Sequence, residues 1–148
     1  MNRILKLRIG VLSDRDLIKQ WNSLPREKGA QKIPDNFTIW RGSVKGKDGA
    51  LKNRLCYSNS LEYVNNNKGT QLAVGLNITK KEWSRAFAVE PDDYGIDSTL
   101  HAWVIQDGKV IDPTLGKSSD IFVGKIIDTK GLKDGSDIRD VLFELLGR

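Results

Sequence analysis

The chain has 148 residues, of which 39% are hydrophobic and 29% charged, an ordinary composition for a soluble globular protein. Its single cysteine excludes an internal disulfide framework, and no apolar run approaches the ~18 residues that a membrane span requires. The first twelve residues contain three basic side chains and lack the apolar segment of a secretory signal. We therefore expect a single cytoplasmic domain over residues 1–148 with no membrane association.

The net charge of +5 is unevenly distributed along the chain. Residues 1–54 contain 13 lysines and arginines against 5 acidic residues, whereas the remainder contains 11 against 14. A basic half of this kind suits a nucleic acid or an acidic protein partner. Because the basic residues are scattered rather than clustered, an ordinary solvated surface is the simpler explanation of them. The sequence does not indicate the oligomeric state.

The N-terminal third is predicted to contain two strands and a helix. Alternating branched residues predict a strand over residues 4–12. Ser13, with Asp16 three residues later, is typical of a helix N-cap, and an apolar face follows it as far as Pro25. Residues 36–44 predict a second, short strand.

The rest of the chain mixes strands and helices without a regular βαβ rhythm, which predicts an α+β fold. A helix is predicted over residues 53–64, with Asn53 as its N-cap and Gly69 ending the segment. Gly75 indicates a bulge or a close approach of two backbones. The other predicted elements are strands over residues 70–78 and 121–128 and a C-terminal helix over residues 136–148.

A β-hairpin is predicted around Asp107-Gly108, which lies between two alternating apolar stretches. With these two residues as the loop, Trp103 opposes Asp112 and His101 opposes Thr114. One face of the hairpin then carries His101, Trp103, Ile105, Val110, Asp112 and Thr114.

The hairpin makes His101, the only histidine, a diagonal neighbour of Asp112. A carboxylate bonded to one ring nitrogen fixes the tautomer and stabilises the imidazolium, which leaves the other nitrogen to exchange a proton. Pro113 favours an extended backbone at Asp112. A structural pair formed by a half-buried histidine and an aspartate is the alternative.

Cys56 is the candidate nucleophile. With Asn53 as the N-cap, it occupies the third helical position, where the partial positive charge of the helix end favours a thiolate. Backbone N–H groups there also suit an oxyanion. A small, buried, unreactive cysteine is the alternative.

Other chemistries are less well supported. One cysteine and one histidine lack the paired spacing of a zinc site, so we expect no metal. Glycine-rich phosphate or dinucleotide motifs are not found, so we expect no cofactor.

The order Cys56, then "HAWV", then "DGKVIDPT" resembles the transglutaminase-like branch of the papain-like cysteine enzyme superfamily. The stretch "CYSNS" with these motifs is also similar to small proteins of bacteria and their phages. The resemblance covers residues 53–115. It implies a catalytic helix packed on an antiparallel sheet, with a Cys56-His101-Asp112 triad.

The resemblance further implies a thiol hydrolase or acyltransferase that works through a thioester on a protein or peptide substrate. Peptide or isopeptide hydrolysis, deamidation and transglutaminase-type transfer all remain open. The backbone N–H of Cys56 is the first candidate oxyanion donor and Asn59 the second. Trp103 is expected either to line the substrate cleft or to pack in the core.

A second function stays open beside the enzyme. A catalytically silent protein of the same fold would bind a nucleic acid or an acidic protein through the basic N-terminal half.

Overall fold

A computed structural model of the protein describes residues 13–23, 32–45, 55–78 and 99–147. Within these ranges the chain is a mixture of helices and strands, which confirms the predicted α+β class. The helices are α1 (Asp14–Asn22), α2 (Cys56–Asn66) and α3 (Gly135–Leu145); the strands are β1 (Thr38–Lys45), β2 (Gln71–Ile78), β3 (Thr99–Gln106), β4 (Lys109–Ile111) and β5 (Ser118–Ile127). The strand predicted over residues 4–12 lies outside the described residues. None of these helices is long and apolar enough to cross a bilayer.

The five strands form a closed barrel in the order β1-β4-β3-β2-β5. Four of the neighbouring pairs are antiparallel, but β1 and β4 are parallel. A ring with an odd number of strands cannot alternate in direction throughout, so closure requires one parallel pair. Strand β3, which carries His101, pairs antiparallel with both of its neighbours, β2 and β4.

Aromatic and apolar side chains fill the inner face of the barrel. Trp103 is fully buried, and its ring centroid lies 5.1 Å from that of Phe122 and 5.9 Å from that of Trp40. Gly124 makes room for this ring, because a Cβ there would lie 2.7 Å from Cη2 of Trp103. The close approach predicted at Gly75 is confirmed, since a Cβ there would overlap the carbonyl oxygen of Val123.

Helix α1 covers one part of the outer face. Ser13 Oγ accepts a hydrogen bond from the Asp16 N–H at 3.2 Å, which confirms the predicted N-cap. The apolar face of the helix packs into a cluster with residues from β1, β2, β5 and the segment before β1. The buried members of this cluster are Leu17, Ile18, Trp21, Ile33, Phe37, Ile39, Leu76, Ile78, Ile121 and Val123.

Helices α2 and α3 cover the outer face of β2 and β3. Leu61 of α2 and Leu142 of α3 join a cluster whose other buried members are Leu72, Val74, Ala102 and Ile138. The predicted C-terminal helix is confirmed, and Asp134 caps it by accepting from the Asp137 N–H. The cysteine-bearing helix thus packs on an antiparallel part of the barrel.

Helix α2 begins later than the sequence predicted. Leu55 occupies the cap position with φ −115° and ψ 27°, so Cys56 is the first helical residue and not the third. Helical torsion angles therefore begin only after Leu55. Asn53, the predicted N-cap, lies outside the described residues.

Candidate active site

The predicted β-hairpin is confirmed at its turn. Asp107 and Gly108 have φ values of 53° and 75°, as a two-residue loop with positive φ at both positions requires. The pairs Gln106 with Lys109 and Ile105 with Val110 follow the predicted register.

The hairpin ends sooner than predicted, because β4 stops at Ile111. Asp112 and Thr114 therefore lie in a turn, and the predicted strand pairings of Trp103 with Asp112 and of His101 with Thr114 are both wrong. The Gly116 N–H donates to the Asp112 carbonyl at 2.8 Å and closes this turn. Pro113, which has no N–H to donate and a fixed φ, suits a turn better than a continuing strand.

The turn fixes the carboxylate of Asp112. Oδ1 accepts hydrogen bonds from the backbone N–H groups of Thr114 and Leu115, each at 2.9 Å. Oδ2 lies 2.7 Å from Nε2 of His101. Since Asp112 is fully buried, all of these contacts form away from water, and the carboxylate is held in one orientation.

His101 lies between the carboxylate and the thiol. Its Nε2 contacts the carboxylate of Asp112 at 2.7 Å, and the side chain of Cys56 lies near enough to raise the pKa of the imidazole. Because Nε2 faces Asp112, Nδ1 is the nitrogen left for the sulfur. The His101 residue is only 3% exposed and Cys56 6%. The structure thus brings together the three residues predicted to form a triad, with the imidazole in the middle.

The surroundings of His101 favour its charged form. Burial is the largest single effect and lowers the pKa, because a low-dielectric interior disfavours a cation. The hydrogen bonds to Asp112 and Cys56 and the negative charges of both act in the opposite direction and outweigh burial. Together they raise the pKa of His101 from 6.5 to about 9. At neutral pH the ring is therefore an imidazolium between two acidic groups.

Two buried polar side chains of α2 hold the cysteine-bearing helix against the other elements. Ser60 Oγ donates to the carbonyl of Ala102, next to His101, at 3.1 Å. Asn59 Nδ2 donates to Thr114 Oγ1, also at 3.1 Å. Ser60 is not among the residues predicted from the sequence. The signal in the sequence is its position four residues after Cys56, because residues three and four positions apart lie on the same side of a helix.

The structure places Trp103 and Asn59 inside the protein. Trp103 is fully buried and stacks beside His101, with ring centroids 6.2 Å apart and planes inclined by 23°. Its Nε1 is the buried side-chain polar atom that lacks a hydrogen-bond partner in the described part of the chain. The Asn59 amide donates to Thr114, so this residue supports the turn that carries Asp112.

Exposed apolar side chains adjoin the triad residues in sequence. Leu55 precedes Cys56 and is 47% exposed, and Leu115 lies in the Asp112 turn and is 37% exposed. Among the residues described, no group of three histidine, cysteine or acidic side chains is placed to hold a metal ion.

Comparisons with family models, with curated proteins and with solved structures found no match to this chain.

Proposed function

We propose that the protein is a cysteine-dependent acyl-transfer enzyme with Cys56 as nucleophile, His101 as acid and base, and Asp112 as the group that orients His101. The observation that carries the proposal is the buried chain of contacts from thiol to imidazole to carboxylate. A carboxylate bonded to one nitrogen fixes the ring, so that the other nitrogen serves the nucleophile.

The first half-reaction forms a thioester. The sulfur of the Cys56 thiolate attacks the carbonyl carbon of an amide, and the carbonyl π electrons move to oxygen. The imidazolium of His101 then gives its proton to the leaving nitrogen as the carbon–nitrogen bond breaks. The products are a free amine, a neutral His101 and an acyl group bonded to sulfur.

The N-terminus of α2 supplies donors for the oxyanion. Cys56 is the first helical residue, so its N–H has no partner within the helix, and the side chain of Leu55 provides no cap. The other two helices, by contrast, are capped by Ser13 and Asp134. An uncapped helix end beside a nucleophile suits a carbonyl oxygen that becomes negative.

The second half-reaction regenerates the enzyme. Neutral His101 takes a proton from water or from an amine, which attacks the thioester carbon while the carbon–sulfur bond breaks. Water gives hydrolysis and an amine gives acyl transfer. We propose a protein or peptide as the substrate, since an amide or isopeptide bond supplies both the acyl carbon and the amine.

The same arrangement supports a transglutaminase-like or papain-like fold. In favour of it are the chain order Cys56, His101, Asp112 and the helix that begins with the cysteine and packs on β2 and β3. We propose a single domain of this kind, acting in the cytoplasm of a bacterium or in a phage-infected cell.

The test uses p-nitrophenyl acetate, an activated ester that needs no specific recognition. We expect the wild type to release p-nitrophenol in a burst and to gain the mass of one acetyl group on Cys56. The Cys56→Ala variant should show neither, and His101→Ala should acylate ~10²–10⁴-fold more slowly.

An absent burst, or acetylation of Cys56 no faster than that of an unfolded control peptide, would contradict the proposal. The alternative of a silent binding protein would then be tested by titrating DNA and RNA binding against salt, because a phosphate-binding surface weakens with rising salt concentration.

A further inference from the structure

Three elements carry the triad, and hydrogen bonds connect each pair of them. Helix α2 is joined to strand β3 through Ser60 and the Ala102 carbonyl. Strand β3 is joined to the turn through His101 and Asp112. The third connection runs directly from helix to turn, between Asn59 and Thr114.

We infer that Asn59 and Thr114 are positioning residues, which set the gap between Cys56 and Asp112 so that one imidazole ring contacts both. The inference rests on the proposed function, because it concerns the same triad.

The geometry of an imidazole makes this gap critical. The ring is rigid and its two nitrogens point in fixed directions, so the sulfur and the carboxylate must lie a fixed distance apart. Cys56 and Asp112 belong to different elements, and packing of α2 on β3 alone does not determine how the helix lies relative to the turn. The bond from Asn59 to Thr114 supplies that constraint, three residues after the cysteine and two after the aspartate.

Thr114 is suited to this role because it contacts both sides. Its side-chain oxygen accepts from Asn59, while its backbone N–H donates to Oδ1 of Asp112 at 2.9 Å. Thr114 is fully buried, so water does not compete for these groups. A shift of the helix is therefore transmitted through one residue to the carboxylate.

The far end of the turn, at Gly116, is held by Ser43 of β1 and does not depend on Thr114. Thr114 therefore acts on a segment that has little freedom elsewhere. Ser43 Oγ donates to the Gly116 carbonyl at 2.8 Å and accepts from the Ser118 N–H at 2.7 Å. Because β1 holds this end, loss of the bond from Asn59 changes the relation of helix to turn without releasing the turn as a whole.

The experiment exploits the single histidine and the single cysteine of the chain. An NMR titration of the imidazole resonances reports the pKa of His101 alone, and iodoacetamide reports the reactivity of Cys56 alone. Thr114→Val removes the hydroxyl at nearly constant shape, whereas Thr114→Ser keeps it. We expect the valine variant to lower the pKa of His101 by ~1 unit and to slow alkylation at pH 6 by ~10-fold. The serine variant should behave as the wild type.

Two further variants separate positioning from general destabilisation. Asn59→Ala breaks the same bond from the helix side, so it should give the same shift, and combining it with Thr114→Val should add nothing. Asn22→Ala is the matched control, because the Asn22 amide makes two hydrogen bonds to the Ile33 backbone, away from the triad. It should leave both readouts unchanged.

An unshifted titration in both Thr114→Val and Asn59→Ala, or an equal shift in Asn22→Ala, would overturn the inference. Since neither readout requires turnover, the result is distinct from the ester test. A protein without an acetylation burst but with these shifts would have an ordered ion pair and no acyl-transfer activity.

Discussion

Replacing Asp112 by asparagine tests the electrostatic account of the site, because the two side chains have nearly the same shape but differ in charge. Oδ1 can still accept from the N–H groups of Thr114 and Leu115, so the turn is expected to survive. What changes is the group that faces Nε2 of His101, where an NH₂ donor replaces a carboxylate oxygen.

The consequence for stability follows from the pKa of His101. A histidine whose pKa rises on folding stabilises the protein when protonated, so the contribution is complete below pH 6.5 and is lost as the pH rises towards 9. The shift from 6.5 to about 9 corresponds to about 3 kcal/mol, most of it present at pH 7. Removing the carboxylate of Asp112 should lower the pKa of His101 by ~1–3 units, because burial still disfavours the imidazolium while one of the groups that stabilise it is gone.

The expected measurement is therefore a difference that depends on pH. In urea unfolding experiments, wild type should be more stable than Asp112→Asn by about 2–3 kcal/mol at pH 6, and the difference should shrink towards zero by pH 10. An NMR titration of the single histidine should show its midpoint moving from about 9 towards 6.5. Asp120→Asn is the matched control, because that carboxylate is bonded to Asn77 and not to the imidazole.

Activity should fall for a separate reason. The asparagine NH₂ donates to Nε2, which forces the proton of neutral His101 onto Nδ1, the nitrogen that faces Cys56. That nitrogen then cannot accept a proton, so ester turnover should fall ~10²–10⁴-fold. A wild-type histidine that titrates near 6.5, or an asparagine variant that still titrates near 9, would refute this account of the site.

Two further predictions concern the scaffold. Gly124→Ala should destabilise the protein by about 1–3 kcal/mol in urea unfolding, because the new methyl group meets the Trp103 ring and the Val74 carbonyl. An unchanged urea concentration at the unfolding midpoint would mean that β2 and β5 are less tightly packed at Gly124. Leu142→Ala should lower the free energy of unfolding by about 2–5 kcal/mol, since this side chain is fully buried between α3 and the outer face of the barrel. Glu144→Ala, exposed on the same helix, should change stability by less than about 0.5 kcal/mol.

Much of the fold was predictable because local signals agree with the tertiary structure. Ser13 caps a helix in sequence and in space, and the Asp107-Gly108 turn sets the hairpin register by its length alone. The C-terminal helix is amphipathic at the expected spacing, with Ile138 and Leu142 facing the barrel. In each case neighbouring residues determine the conformation, so the surrounding fold is not needed to infer it.

Closure of the barrel was not predictable from the sequence. The parallel pairing of β1 with β4 joins residues that are far apart in the chain, and no local pattern specifies it. The same applies to the early end of β4. A strand pattern continues through Asp112, but the bonds from Thr114 and Leu115 to its carboxylate favour a turn. The predicted strand pairing of His101 with Thr114 is wrong, whereas the predicted contact between His101 and Asp112 is formed.

The contact between His101 and Asp112 is present because it depends on the distance between the two side chains and not on strand pairing. A carboxylate at the end of a hairpin arm can approach the ring from a strand or from a turn, provided that the chain direction brings it back. The hydrogen bonds of Asn59 and Ser60 could not be predicted in this way, since their partners lie 55 and 42 residues away. A sequence can thus identify side chains that come together, whereas the bonds that set their spacing emerge only when the helix, the strand and the turn are placed together. It is those bonds that decide whether a thiol and a carboxylate share one imidazole.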